Sequence, residues 1–346
     1  MKAKSRLGQF YTTNYSYILQ GMSVPNNVET IVEPFVGNGD LLKILPVENK
    51  YTLELYDIDP VQNELIITKR DTLLNPPCYK NKFVLTNPPY LARNKNTYKT
   101  LYNKYKTDDL YKCFLLSLLD SESKDDSTTG ILILPLNFIC SIRKADVALR
   151  ERFLSQFEII RLNIFEEKVF ADTGYTVCSF QFQARTENSD WNIPTHVYPN
   201  TKIINIELNR NNNYTIGGEI YQLPMNKNIV IERATRLNTE KKITNILLKC
   251  IDDNNDSQLG FSMVVNNKKF IDNTDKLSAR SYASLVINKE LSLQEQTVLV
   301  KKMNEFITEK RLCYNSLFLT NYRESNRKRI SFELGFRICN YVYNFL

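Results

Sequence analysis

The chain has 346 residues, 42% of them hydrophobic, and a formal net charge of +7. That length supports a sizeable core and suggests two domains, and the basic excess tilts toward a polyanionic partner. A single histidine, His196, excludes multi-histidine zinc sites; the 7 cysteines are scattered without a CxxC pair, and the basic start MKAKSRLGQFYTTN has no apolar stretch after it, so no metal, disulfide framework, membrane span or signal peptide is expected.

Short apolar runs alternate with helical spacing through the first half. Thr30–Val36, Tyr51–Ile58, Lys82–Asn87 and Gly130–Phe138 read as strands, followed by Glu158–Phe165 and Thr176–Gln183. Their near-continuous apolar character implies burial on both faces of a parallel sheet. Asp108–Asp120 and Ala145–Phe157 have helical spacing, so the alternation predicts a doubly wound, mostly parallel α/β domain. The last two candidate strands lie about ten residues apart, which allows an antiparallel pair at the sheet edge. Near Glu187 the segment TENSDWNIPTHVYPNT is polar and turn-rich, and the domain boundary is expected there, giving 1–186 and 187–346. The second part mixes short strands with helices such as Leu293–Leu312 and reads as α+β.

Three acids close successive strands of the first part. VEPFVGNGDLL carries Glu33 before Gly37 and Gly39, which allow a tight turn and close approach of a ligand to main-chain N–H groups. The third glycine of a dinucleotide fingerprint is missing, with Leu42 in its place, which weakens a phosphate-binding reading. Asp57 and Asp59, in LYDIDP, fall about twenty residues past the glycines, where an acid accepts ribose hydroxyls. Asp71 ends the next candidate strand, ELIITKRD. Taken singly, each is an ordinary solvated strand end; in series they suit a positively charged or hydroxyl-rich small ligand such as S-adenosylmethionine.

The tetrapeptide Asn87-Pro88-Pro89-Tyr90 follows a core strand. Pro88 has no N–H and stiffens Asn87 toward extended geometry. An amino group with two hydrogens can donate one to the Asn87 side-chain oxygen and one to a main-chain carbonyl, and Tyr90 offers a flat face for stacking. The bland alternative is a strand-terminating turn, for which Asn and Pro are ordinary material.

The succession GQFYTT, EPFVGNG, YDIDP, RDTLL, TNPPY, DLYKCFLLSLL, GILILPLNF and KVFADTGYTVCSFQF resembles the motif order of gamma-class N6-adenine DNA methyltransferases of type II restriction-modification systems, over roughly Arg6 to Gln183. The resemblance implies a Rossmann-like methyltransferase fold with a C-terminal target-recognition domain. It implies S-adenosylmethionine against Tyr11, Thr12, Glu33, Pro34, Phe35, Gly37, Asp57 and Ile58, with Asp71 at the cofactor's adenine. A bulky residue usually follows that acid; here it is Thr72, so Leu73, Pro89 or Phe114 is expected to supply the contact. Catalysis is expected from Asn87, Pro88, Pro89 and Tyr90, with Phe170 facing a flipped base opposite Tyr90. Direct methyl transfer to adenine N6 requires the base to be extruded from the stack.

Double-stranded DNA is the expected partner, met by a monomer in the bacterial cytoplasm, or the host-cell interior if viral, with any cognate restriction endonuclease outside a stable complex. ARNKNTYKTLYNKYK, after the tetrapeptide, interleaves Arg93 and Lys95 with tyrosines, and Arg323, Arg327, Lys328 and Arg329 cluster near the C-terminus. Both are candidate DNA contacts, and both also read as solvated basic surface. The same tetrapeptide serves protein-glutamine and RNA methyltransferases, and a non-catalytic nucleic-acid-binding protein on this fold is a further alternative. The glycine loop within the first forty residues and the extra domain after it favour DNA.

Overall fold

Runs of fully buried apolar side chains make the centre of the first unit: β1 (Thr30–Glu33), β4 (Phe83–Thr86) and β5 (Thr129–Pro135) lie side by side, parallel, with almost every residue buried. The computed structural model describes residues 8, 10–48, 50–62, 64–121, 127–171, 173–238, 240–252, 258–314 and 328–346. Among them the larger sheet also contains β2 (Thr52–Asp57), β3 (Thr68–Lys69), β6 (Phe157–Phe165), β7 (Val177–Ala184), β8 (Asn192–Tyr198) and β9 (Lys202–Glu207), in the order β3-β2-β1-β4-β5-β7-β6-β8-β9. Helices Leu110–Ser121 and Lys144–Gln156 fall where the spacing predicts them.

The chain runs outward from β1 to β2 and β3, then returns to the other side of β1 to lay down β4 and β5. The strand order therefore reverses between β1 and β4. A crevice opens beyond the carboxyl ends of the strands at such a point, the usual ligand position in open α/β sheets.

Two expectations need correction. The antiparallel pair β6–β7 exists, but not at an edge: β7 lies between β5 and β6, and β8 pairs parallel with β6. The expected boundary at Glu187 also moves. β8 and β9 extend the first sheet, and the first unit reaches Tyr214, with the second starting at Thr215. Their alternating burial is that of half-covered strands, so the polar residues that read as a linker are the outward-facing positions.

The second unit is α+β. Strands Ile231–Arg233, Ile243–Lys249, Gly260–Met263 and Tyr282–Ile287 form an antiparallel sheet. Helices Leu293–Cys313 and Phe332–Tyr343 share one core with it, including Leu248, Leu285, Leu299, Met303 and Ile338. Ser292 starts the longer helix with a reciprocal capping box to Glu295, satisfying two otherwise unpaired N–H groups.

Among the described residues no helix is long and apolar enough to cross a membrane, and no cluster of three or more His, Cys, Asp or Glu side chains is placed to hold a metal ion.

Candidate active site

The crevice at the reversal point is a cleft of about 1240 Å³ walled by the loops after β1, β2, β3 and β4. It exceeds the roughly 300–1,000 Å³ of an ordinary small-molecule pocket, leaving room for a second group beside a cofactor-sized ligand. Tyr11, Thr12, Glu33, Phe35, Gly37, Asp57, Ile58, Asp71, Thr72, Asn87 and Pro89 all line it.

The acids are held differently. Asp57, the last residue of β2, accepts the Gly37 N–H on Oδ2 and the Asp59 N–H on Oδ1, both at 2.9 Å. It thereby ties the glycine loop to the loop after its own strand. Gly37 sits at φ +54°, a conformation that costs other residues, and a Cβ there would meet the Tyr11 ring at 3.4 Å. Asp71 caps a turn, its Oδ1 accepting from the Leu73 and Leu74 N–H groups. Glu33 is 1% exposed and its Oε2 has no hydrogen-bond partner. Burial, then the charges of Asp57 and Asp40, push its carboxyl well above the usual carboxylate range. A buried polar atom without a partner is costly, and this one is on the wall of a cleft where a hydroxyl or cationic group would satisfy it.

Asn87 follows β4. Its Nδ2 donates to the Phe10 carbonyl at 3.0 Å and to Thr12 Oγ1 at 3.1 Å. The Phe10 carbonyl can only accept, so the amide nitrogen must face it and Oδ1 must face the other way. There Oδ1 meets the Tyr90 hydroxyl, which also has the Ile133 carbonyl at 2.6 Å. One phenolic proton cannot serve both acceptors fully, so Ile133 can hold it when another donor reaches Asn87. Burial, with smaller effects of Cys178 and Asp109, raises the Tyr90 pKa and keeps the phenol neutral.

Several expected positions differ. Phe114 is fully buried and absent from the cleft wall; it packs edge-on behind Phe35, ring centres 5.6 Å apart. It supports a wall residue and does not reach the space where a cofactor would lie. Pro34 is also behind the wall: its carbonyl accepts the Thr72 hydroxyl at 2.9 Å. Tyr90 and Phe170, each 3% exposed, do not line the cleft. Phe10, within GQFYTT, lines it instead.

Of the candidate DNA contacts, Arg93 and Lys95 are exposed and Lys95 borders the cleft. Arg323 and Arg327 lie outside the described residues. Arg329 is exposed, but Lys328 is buried. Ile330 is buried too, so the segment alternates inward and outward as an extended chain does, and Lys328 falls on the inward side, away from any phosphate.

The strand order, with antiparallel β7 between β5 and β6 and a cleft edged by acids at the strand ends, is that of a Rossmann-like, doubly wound α/β fold. Residues 49–170 match the family model described as Eco57I restriction-modification methylase, and over that segment the chain resembles restriction-modification methylases. No curated protein sequence matches it significantly. Among solved structures it is similar to the type I restriction-modification methyltransferase subunit from Streptococcus thermophilus, at 15% identity over 55% of this chain and 47% of that one, TM-score 0.38. The type I restriction enzyme EcoKI M protein gives 14% identity over 55% and 48%, TM-score 0.38. The type IIL restriction-modification enzyme MmeI in complex with DNA gives 13% over 64% and 40%, TM-score 0.40. The chain spans less than half the length of each of these proteins.

Proposed function

We propose that the protein transfers a methyl group from S-adenosylmethionine to N6 of an adenine extruded from double-stranded DNA. The observation that carries this reading is the Asn87 carboxamide on the cleft wall, its nitrogen committed to Phe10 and Thr12 and its oxygen, which accepts from the Tyr90 hydroxyl, the one acceptor the side chain has for an incoming amine.

The cofactor fits the residues present. Glu33 brings a buried, unpartnered oxygen to a hydroxyl or cationic group, and Asp71 and Asp57 are carboxylates with acceptor capacity beyond the N–H groups they already take. When bound, S-adenosylmethionine supplies a methyl carbon already activated by a sulfonium. What is left to the chain is position. Asn87 Oδ1 accepts one N6 hydrogen, which orients the amine and localises its lone pair, and the Pro88 carbonyl accepts the other. The proline ring stiffens that geometry, and orientation of this kind supplies roughly 7–11 kcal/mol in favourable cases. Extruding the base costs a few kcal/mol, offset by stacking on Tyr90 and Phe170 at about 1–3 kcal/mol per contact.

Target recognition is assigned to the second unit, and the enzyme to a monomer without a stably bound endonuclease. The test is incubation of the full chain with methyl-labelled S-adenosylmethionine and plasmid DNA, with RNA of equal length in parallel. Label at adenine N6 of DNA is expected. Label on RNA alone, or on neither nucleic acid, overturns the reading.

A further inference from the structure

The Phe10 ring packs against both Tyr90 and Phe170. The Phe10 ring lies 5.6 Å from Tyr90, tilted by 36°, and 6.1 Å from Phe170, nearly parallel at 29°. Tyr175 closes the edge, 6.1 Å from Phe10 at 79°. These are aromatic stacking distances, and they set a ring of this chain against both side chains expected to hold the flipped base. Phe10 also borders the cleft, whereas Tyr90 and Phe170 behind it do not.

The segment that carries Phe10 is fastened to the tetrapeptide itself. The Tyr90 N–H donates to the Gly8 carbonyl at 2.9 Å, and Asn87 Nδ2 to the Phe10 carbonyl at 3.0 Å. Gly8 has φ +71°, and a Cβ there would stand 2.7 Å from the Tyr90 carbonyl oxygen, so only glycine allows this approach. The same segment that holds the amide in its working orientation also fills the base slot.

We propose that Phe10 is a gatekeeper of the base slot: it stacks there in place of a purine in the free protein, and the target base must displace it to reach Asn87. The inference rests on the adenine reading above. A ring that must leave first lowers the apparent affinity for an incoming base by the fraction of molecules already open. It also screens entrants, because only a flat ring that stacks replaces what the Phe10 ring supplies.

The test measures binding of the fluorescent purine nucleoside 2-aminopurine riboside to the full-length protein saturated with a non-reactive cofactor analogue. Wild type, Phe10→Ala and Phe10→Tyr are compared, with Phe10→Leu as a second way of removing the ring while the main chain that holds Asn87 stays in place. Phe10→Ala is expected to bind about tenfold tighter than wild type, with quenching from stacking, and Phe10→Tyr to stay near wild type. If Phe10→Ala does not fold, a gain in the same direction is expected of Phe10→Leu. Equal affinity in wild type and the folded variants overturns the proposal. Failure is separable from failure of the adenine reading: a wild type that methylates DNA without any gain in the variants loses only the gatekeeper, whereas tighter purine binding in variants of a protein that labels no DNA keeps the gatekeeper and removes the DNA substrate.

Discussion

Asn87 Nδ2 stands 3.0 Å from the Phe10 carbonyl oxygen, and that contact fixes the amide with its oxygen toward the Tyr90 hydroxyl. Asn87→Ala removes the acceptor and three hydrogen-bond contacts. Each bond is worth about 0.5–1.5 kcal/mol, so a stability loss of roughly 1.5–4.5 kcal/mol is expected beside a loss of most methyl transfer, with cofactor affinity retained. Calorimetry for the cofactor and a labelled-methyl assay on the same preparation check this; turnover at the wild-type rate would remove Asn87 from the mechanism.

Glu33 should link cofactor affinity to pH. Its folded-state pKa lies above the ordinary value of about 4.3, so on raising pH the unfolded carboxyl ionises first. The stability it contributes is present in full below the unfolded pKa and lost as pH rises toward the folded one. A cationic ligand favours the ionised form, so binding expels a proton and affinity climbs with pH until the folded pKa is passed. Glu33→Gln is expected to be more stable than wild type at neutral pH and to flatten the affinity profile. Thermal midpoints and calorimetric affinities across the same pH series read both.

Phe114 tests the distinction between a wall and its support. Phe114→Ala leaves a cavity behind Phe35 and is expected to cost about 3–5 kcal/mol. The part of the sample that remains folded should bind cofactor almost as wild type does. A large loss of affinity with little change in the denaturant midpoint would return Phe114 to the site.

Lys95 and Lys328 should behave oppositely. Lys95 is exposed at the cleft border, so Lys95→Ala is expected to weaken DNA binding and reduce the salt slope of log K by about one. Lys328 is buried, so Lys328→Ala should lower the stability of the second unit and leave the slope alone. Salt titrations of DNA binding by both variants decide it.

The sequence made the sheet legible where burial is continuous. Phe83–Thr86 and Thr129–Pro135 are apolar on both faces because parallel strands bury both. It concealed β8 and β9, whose outward residues are those of a loop and whose inward ones are spaced by two. The cleft acids were readable because Glu33 and Asp57 each end a strand and Asp71 follows β3 by two residues. Phe114 misled because a helix face shows which residues are buried, not which layer they reach. Phe10 was missed for another reason: its role needs Tyr90 and Phe170, far away in the chain, and no local pattern records such a sandwich.

Both oxygens of Asp57 are met by main-chain amides, from Gly37 and from Asp59. Backbone donors carry no side-chain identity. The stitch between these two loops therefore tolerates almost any replacement at position 59 except proline, which has no hydrogen to give. The rim of the cleft can be rewritten in charge and size while the carboxylate beneath keeps its shape.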